Sequence, residues 1–412
     1  MAFCSILFPD STSPSELNLR EAPAFFPDLN LDQVVEAITA ECTTYDLAPF
    51  FYAQLYDLDA IAYRQEVMRD LEDKALMQSV ASFSNQMRAM RERLDQANKL
   101  THYKWAMERR FAGAVEIYCR AVEHLVQELA RMNLRSRGLR EFRAYLDEYL
   151  GSESFRNLVT ELENLLSGLA AIRYSLFLRD GSITVSNYHG EEDYTIAIEE
   201  TFEKFRRDAR RRYRIETRDW EGMNHIEAQV QDRLALLYPD IFRQLDDYCA
   251  AHAQFVSETI ARFDHEIQFY MAYLTYAAKL RSAGLSFCYP QLSNTSKEIS
   301  GREAFDIALA GKLLAEHGRI ITNDFVLHGP ERIFVISGPN QGGKTTFARM
   351  IGQLHYLACL GCPVPVPKLG SSSSKTFSRI LNGKRTSPHY RANCTTTLSG
   401  FVISSIRPPQ TV

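Results

Sequence analysis

The segment from residue 338 to residue 346 carries the residues best suited to chemistry, since it reads GPNQGGKTT. It fits G-x-x-x-x-G-K-[ST], in which glycines let successive backbone N–H groups curl around phosphate oxygens. The lysine of such a loop reaches the β- and γ-phosphates, and the next hydroxyl is a ligand of Mg²⁺. We therefore predict a site for ATP and Mg²⁺, with Thr345 as the metal ligand. The candidate nucleotide-binding residues are Gly338, Pro339, Asn340, Gln341, Gly342, Gly343, Lys344, Thr345 and Thr346.

The elements on either side of this loop suit the same chemistry. Residues 305–340 contain short apolar runs broken by glycine and proline, and Ile333 to Ser337 is the best strand among them. Thr345 to Leu360 has the pattern of a helix. A helix at this position presents its positive N-terminal end to the anion that the loop surrounds.

Hydrolysis of ATP needs more than the loop. It requires an acidic residue on a later strand to hold the metal, and a group that orients the attacking water. After residue 345, no apolar run is followed by Asp-Glu, and the apolar stretch 401–406 runs into Arg407. Upstream, LALLYPD imitates the pattern at Asp240, but Pro239 and the helical surroundings make Asp240 a weak candidate. The sequence therefore predicts nucleotide binding, while the half of the site that hydrolysis needs is missing, so hydrolysis is not expected.

A second group of residues suits contact with phosphates. Residues 202–218 read FEKFRRDARRRYRIETR, the only dense basic cluster in the sequence. Guanidinium groups form bidentate hydrogen bonds with phosphate oxygens, so such a cluster could contact the DNA backbone. An equally weighted alternative is a solvated helix face whose charges pair with Glu203, Asp208 and Glu216. The candidate DNA-contacting residues are Arg206, Arg207, Arg210, Arg211, Arg212 and Arg214.

Composition limits the other classes of function. The 412 residues carry a net charge of −4, so a DNA-binding surface would have to be a local basic patch. No apolar run reaches the roughly 20 residues that cross a bilayer, which predicts no contact with a membrane. Cys359 and Cys362 form a C-x-x-C without a second pair, so packed thiols are favoured over a metal or redox site. A cytoplasmic location is expected.

Helical periodicity dominates the chain from Leu31 to about residue 282. A stretch at residues 47–71 has apolar residues at helical spacing, and Asp59 is a possible cap. One long helix is predicted from about 240 to 282. Other stripes step by three and four. They consist of Phe111, Val115, Tyr118, Val122, Leu125 and Leu129, and of Phe155, Leu158, Leu162, Leu165, Leu166 and Leu169.

Two segments depart from this helical pattern. Residues 172–188 alternate and are rich in β-branched and aromatic residues, with Asp180-Gly181 at the centre, which predicts a β-hairpin. After Lys368 the chain is rich in Ser, Thr, Arg and Pro and has a run of four serines. We predict a disordered tail there.

The block GPNQGGKTTFARM…LGCPVP resembles the MutS family of DNA mismatch repair ATPases. Upstream, PFFYAQLYDLDAIAYRQEVMRDL is similar to a segment of the family's core domain, with Arg64 and Gln65 in the matching places. Asn323 matches a position just before the central strand. The remaining matches are Asn340, Gly342, Gly343, Lys344, Thr345, Arg349, Gly361, Val364 and Pro365.

This resemblance implies a mainly α protein with a long-helix core and lever domain, a small β-containing clamp insert and a partial α/β P-loop ATPase domain. The corresponding domains are an N-terminal extension at residues 1–35 and a core and lever domain at residues 36–300, with the insert at about 172–220. A partial ATPase domain follows at residues 301–368 and a tail at residues 369–412. It also implies ATP-dependent binding of mismatched or branched DNA, in mismatch repair or a related recombination process, and a homodimer.

The sequence also departs from the family pattern. There is no room before residue 40 for the domains that read mismatches and connect them, so the chain resembles the shorter MutS-like proteins. Ile320 stands where many members place an aromatic residue that stacks on adenine. The abrupt change after Lys368 suggests the hypothesis of a truncated or frame-shifted product.

Two alternatives use the same residues differently. An ABC- or SMC-type ATPase fragment shares the loop, and Leu398-Ser399-Gly400 resembles part of an ABC signature, although the helices follow the loop in those proteins. A non-catalytic helical interaction protein with a vestigial nucleotide site is the other. Separate measurements of ATP binding and turnover distinguish these interpretations.

Overall fold

The protein is mainly helical, and its short strands form small sheets. The computed structural model describes residues 3–9, 21–42, 44–179, 182–191, 225–293, 298–328, 331, 333–367, 395–398 and 401–405. The helices of this part are α1 (Phe26–Leu29), α2 (Leu31–Thr39), α3 (Ala48–Tyr52), α4 (Leu58–Asp70), α5 (Lys74–Asn98), α6 (Lys104–Arg131), α7 (Arg137–Gly151), α8 (Glu153–Ala171), α9 (His225–Leu237), α10 (Pro239–Ala251), α11 (Glu258–Ser282), α12 (Ile307–Ala315) and α13 (Lys344–Cys359). The strands are β1 (Tyr174–Arg179), β2 (Ser182–Asn187), β3 (Ile299–Ala304), β4 (Asn323–Leu327), β5 (Ile333–Ile336), β6 (Thr395–Leu398) and β7 (Phe401–Ser405). The prediction of a mainly α fold is confirmed.

The chain divides into two compact units. The first consists of residues 1–82, 125–147 and 257–412, and the second of residues 83–124 and 148–256. The first unit contains the glycine-rich loop, and its core includes the largely buried α11. The second contains β1, β2, α8, α9 and α10.

The predicted stripes of long helices are confirmed for most of their members, while Phe111, Leu166 and Leu169 are only half-buried. On α6, Val115, Tyr118, Val122, Leu125 and Leu129 are buried, as their spacing of three and four predicts. On α8, Phe155, Leu158, Leu162 and Leu165 are buried in the same way. Ser152 caps α8, since its side chain accepts a hydrogen bond from the Phe155 N–H.

The prediction of one helix from 240 to 282 is wrong. The structure has two helices, because α10 ends at Ala251 and α11 begins only at Glu258. Ser257 has extended backbone angles and accepts a hydrogen bond from the Ile260 N–H, so it starts a new helix. The spacing of three and four continues across the break because Val256, between the two helices, follows His252 by four residues and precedes Thr259 by three.

The cap predicted at Asp59 is also misplaced. Asp57 is the N-cap of α4, and its carboxylate accepts a hydrogen bond of 2.9 Å from the Ala60 N–H. Asp59 lies inside the first turn of the helix, where it pairs with Arg137 at 2.9 Å. Two aspartates close together at the start of one helix compete for the cap, and the backbone angles decide between them.

The predicted β-hairpin is confirmed. Strands β1 and β2 pair antiparallel, with Tyr174 opposite Asn187 and Arg179 opposite Ser182. That register leaves two residues for the turn, as the Asp-Gly pair predicted, although residues 180 and 181 lie outside the described residues.

Short sheets flank the glycine-rich loop. Strands β3 and β4 pair antiparallel, with a register shift between Gly301 and Ala304. Strand β5 pairs parallel with β7, which in turn pairs antiparallel with β6. Strands β6 and β7 belong to the segment predicted to be disordered, whose other residues lie outside the described part. In the part of the chain that the structure describes, no helix combines the length and apolarity needed to span a bilayer.

Candidate functional site

The glycine-rich loop connects the end of β5 to the start of α13. Gly343 is the N-cap of α13 and has a φ of 81°, in the left-handed region that glycine adopts without strain. No atom lies within 4 Å of the position that a Cβ on Gly343 would take, so the backbone angle, and not space, requires glycine here. At Gly342 a Cβ would lie 3.0 Å from the carbonyl oxygen of Pro339. The loop is therefore tightly curled, as its glycines predict.

The side chain of Lys344 folds back over the loop. Its ammonium group donates hydrogen bonds to the carbonyl oxygens of Gly338 at 2.7 Å and of Pro339 at 2.9 Å. These carbonyls belong to the first residues of the loop, so the cation lies beside the turn and not out in solvent. A positive charge held at this place suits phosphate oxygens.

The first turn of α13 adds further groups that suit an anion. Thr345 and the loop residues Asn340 and Gln341 are exposed, and Thr346 is half-buried. The first hydrogen bond of the helix runs from the Phe347 N–H to the Gly343 carbonyl at 2.9 Å. The N–H groups before it have no helical carbonyl to bind and carry the positive end of the helix dipole. Loop and helix thus fit a phosphate group.

The residues at this site fit Mg²⁺ only together with a nucleotide. Among the described residues no group of three or more His, Cys, Asp or Glu side chains is arranged to hold a metal ion. Mg²⁺ is commonly held by few protein oxygens together with substrate phosphates. Thr345, exposed on the first turn, is the residue that would hold it, and the ion would neutralise phosphate charge.

A network of buried polar side chains fixes the middle of α13. The Asp306 carboxylate, which caps α12, accepts hydrogen bonds from Arg349 Nε at 3.0 Å and from Gln353 Nε2 at 2.9 Å. Gln353 also donates to the Leu29 carbonyl at 2.8 Å and accepts from the Ile307 N–H at 2.9 Å. Hydrogen bonds therefore hold α13, the helix that follows the loop, against α12 and the end of α1.

The far end of α13 packs closely against α4. Gly361 follows the helix with a φ of 78°, and a Cβ there would lie 2.6 Å from Arg64 Cβ. Arg64 itself donates to the Leu360 carbonyl at 3.4 Å. His355, within the same helix, is buried, and burial lowers its pKa to about 4, so the ring is neutral. Cys359 and Cys362 are buried too, as packed thiols would be.

A cavity of about 860 Å³ opens beside the loop. Phe334 and Phe347 contact edge to face in its wall, with ring centroids 6.0 Å apart. Its remaining lining is mixed apolar and charged. The lining residues are Ser300, Gly301, Arg302, Asp324, Phe325, Val326, His328, Phe334, Val335, Ile336, Ser337 and Phe347.

Not every predicted site residue can be placed. Of the nine loop residues, Gly338 to Gly343 lie between β5 and α13, and Lys344, Thr345 and Thr346 form the start of α13. Asn323 begins β4. The six arginines between 206 and 214 lie outside the described residues. Asp240 lies in the first turn of α10, exposed, 3.6 Å from Arg243. The sequence analysis missed Asp306 and Gln353. The only signal for Asp306 was an aspartate at the start of a helix, and Gln353 had none.

The observations define a mainly helical protein with a glycine-rich loop between a strand and a helix. Residues 56–283 match the model of the MutS2 N-terminal domain, which is more than half of the chain. The chain belongs to the MutS family. The loop itself lies beyond the matched residues.

Individual relatives cover shorter segments. The endonuclease MutS2 of Gemmatimonas aurantiaca is 43% identical over 54 residues, 13% of this chain and 7% of that protein. The DNA mismatch repair protein MutS of Chlamydia muridarum is 26% identical over 175 residues, 41% of this chain and 20% of that protein. The DNA mismatch repair protein MutS of Orientia tsutsugamushi is 35% identical over 98 residues, 23% and 11% of the two. The chain thus spans a fifth or less of the length of these curated relatives.

Proposed function

We propose that this chain binds ATP with Mg²⁺ through residues 338–346 and uses the bound nucleotide to control DNA binding, in mismatch repair or a related recombination process. The observation that carries the proposal is the loop itself. Gly343 caps α13 in the left-handed conformation, and the Lys344 ammonium lies against the loop carbonyls. Membership of the MutS family and the names of the relatives support the biological setting.

The roles of the loop residues follow from this geometry. The backbone N–H groups of the curled loop and of the first turn of α13 would bind the phosphates, with the helix dipole in the favourable direction. Lys344 would exchange its bonds to the Gly338 and Pro339 carbonyls for bonds to phosphate oxygens. The Thr345 hydroxyl would hold Mg²⁺. Each of these steps binds or orients, and none commits the chain to hydrolysis.

Binding and turnover are best tested on one preparation of the full chain. Isothermal titration with ATP and Mg²⁺ gives the affinity, and phosphate release gives the rate. Saturable binding with slow or no turnover supports the proposal. Absence of binding would favour the helical interaction protein, and fast turnover would show that another residue of the chain supplies the carboxylate needed for hydrolysis.

The DNA part of the proposal concerns the basic cluster. If Arg206, Arg207, Arg210 and Arg211 contact phosphates, each releases close to one counterion on binding. Replacing all four with alanine should reduce the slope of log affinity against log salt by up to about four. A mismatched or branched duplex is the DNA to use. An unchanged slope and affinity would assign the cluster to a solvated helix face. Sedimentation of the same protein tests the homodimer that the family resemblance implies.

A further inference from the structure

The N-terminal segment, residues 3–9, is packed deeply into the first unit. This segment belongs to no helix or strand. Ile6 and Leu7 are nevertheless fully buried, and Phe3 packs against Phe142 with ring centroids 5.0 Å apart. A chain without regular structure needs other partners for its backbone polar groups when it is buried.

Those partners are side chains. Four consecutive carbonyls of the segment, from Cys4 to Leu7, each accept a hydrogen bond from a side chain of α4 or α11. The lengths are 2.8 Å from Tyr63 to the Ser5 carbonyl and 3.1 Å from Arg64 Nε to the Leu7 carbonyl. The donors, in the order of the carbonyls they bind, are Arg262, Tyr63, Tyr270 and Arg64.

A single carboxylate binds the centre of the segment. One oxygen of Glu266 accepts hydrogen bonds from the Ser5 hydroxyl at 2.8 Å and from the Ile6 N–H at 2.9 Å. The Ser5 hydroxyl in turn accepts from the Leu7 N–H at 2.9 Å and from the Phe8 N–H at 3.3 Å. Serine at this position is thus bound on both sides, which alanine could not reproduce.

The groove that holds the segment is laid out along two helices. Arg262, Glu266 and Tyr270 are spaced by four and therefore line one face of α11, while Tyr63 and Arg64 are neighbours on α4. Such side-chain groups, together with the complete burial of Ile6 and Leu7, recognise a peptide by its backbone and by its sequence. Pairing within a sheet would have depended much less on sequence.

We propose that this groove between α4 and α11 is a peptide-docking site, and that residues 3–9 of the same chain are its ligand. The segment undocks and redocks as a unit, and a free peptide with its sequence takes its place. The groove selects apolar side chains at the positions of Ile6 and Leu7 and a hydroxyl at the position of Ser5.

Docking of the segment also affects α13, the helix that follows the glycine-rich loop. Arg64 donates both to the Leu7 carbonyl and, at 3.4 Å, to the Leu360 carbonyl just after α13. Its guanidinium group is fully buried and lies 4.9 Å from the centre of the Phe8 ring. When the segment leaves, this buried cation loses a carbonyl and a ring, so the end of α13 should loosen together with the groove.

The test uses a variant that lacks residues 2–9 and a fluorescent peptide with the sequence of residues 1–10. Fluorescence anisotropy should show saturable binding of one peptide per chain, and the peptide should raise the melting temperature of the variant. A peptide with Ser5→Ala should bind about tenfold more weakly, and Tyr270→Phe in the protein should weaken the original peptide about fivefold, since each removes a buried hydrogen bond. A scrambled peptide is the control. If the shortened variant does not bind the peptide, or does not fold and is not rescued by it, the proposal is wrong.

Hydrogen exchange in the full chain gives an independent answer. The amides of Ile6 and Leu7 should exchange through an opening that costs less free energy than global unfolding. Amides of the α11 core, such as that of Tyr273, should exchange only on global unfolding. Equal opening free energies at all these amides would make the segment an inseparable part of the core and overturn the proposal.

Discussion

Arg349 binds Asp306 through two nitrogens, since Nε and Nη2 each lie 3.0 Å from the same carboxylate oxygen. The Asp306 side chain is almost fully buried, and the Arg349 side chain is 21% exposed. This pair joins the helix that follows the glycine-rich loop to the start of α12. The orientation of the loop therefore depends on a contact between residues 43 positions apart in sequence.

Breaking this pair should destabilise the first unit strongly. Asp306→Asn keeps the shape of the side chain but leaves Arg349 without its counter-charge in a largely buried place. We expect a loss of about 3 kcal/mol in the free energy of unfolding, measured with urea, because removal of one partner of a buried pair is costly. The control is Glu41→Gln, which removes an exposed pair with Lys279 and should cost less than about 1 kcal/mol. Equal effects of the two substitutions would contradict the role of Asp306.

The close approach of α13 to α1 gives a second prediction. A Cβ on Gly352 would lie 2.5 Å from Leu29 Cδ2, so in Gly352→Ala either the buried Leu29 side chain or the helix must shift. We expect a loss of about 1–3 kcal/mol in stability, although alanine is the better helix former. Gly151→Ala is the matched control, since no atom lies within 4 Å of its Cβ position at the end of α7. Thermal unfolding of both variants checks the expectation, and a neutral Gly352→Ala would show that Leu29 moves freely.

Glu266 should make stability depend on pH. Burial raises the pKa of this carboxyl from 4.5 to about 7. The folded protein therefore binds this proton more tightly than the unfolded chain does, which adds about 3 kcal/mol to the free energy of unfolding. This stabilisation is fully present below pH 4.5 and is lost as the pH rises through 7. Glu266→Gln keeps an acceptor for Ser5 and Ile6 without the charge, so its stability should fall less between pH 5 and pH 8 than that of the original protein.

The measurement is urea unfolding at pH 5 and pH 8 for both proteins. The pH dependence of the original protein must be compared with that of Glu266→Gln, because burial also raises the pKa of Glu108, in the second unit, to about 7. Glu108→Gln serves as the control for that unit. An identical pH dependence in the original protein and in Glu266→Gln would contradict the burial of a titrating carboxyl at this place.

Sequence patterns were sufficient for the elements whose signal is local. The stripe on α6 was predicted because helical neighbours lie three and four residues apart. The break between α10 and α11 was missed because Val256 continues the spacing of three and four through a segment that is not helical. The competition between Asp57 and Asp59 for the cap of α4 depends on one pair of backbone angles that composition does not reveal.

The candidate site likewise contains residues that the local sequence predicts and residues that only long-range contacts bring together. The nine loop residues were predicted because their glycines and lysine are consecutive and their chemistry is specific. The network of Asp306, Arg349 and Gln353 joins residues up to 324 positions apart, counting the Leu29 carbonyl. Nor could the partners of the N-terminal segment be predicted, because Glu266 lies 261 positions from Ser5. Contacts of this kind arise only when the helices are packed.

Titration of the full chain with ATP and Mg²⁺, beside Lys344→Ala and Lys312→Ala, tests the central claim most directly. Lys312 is an exposed lysine on α12, so its loss controls for a change of charge. We predict saturable binding by the original protein and by Lys312→Ala, and an affinity at least about tenfold lower for Lys344→Ala, because a charge-assisted bond to phosphate is lost. Equal affinities of all three proteins, or no binding by any of them, would contradict the assignment of residues 338–346 as a nucleotide site.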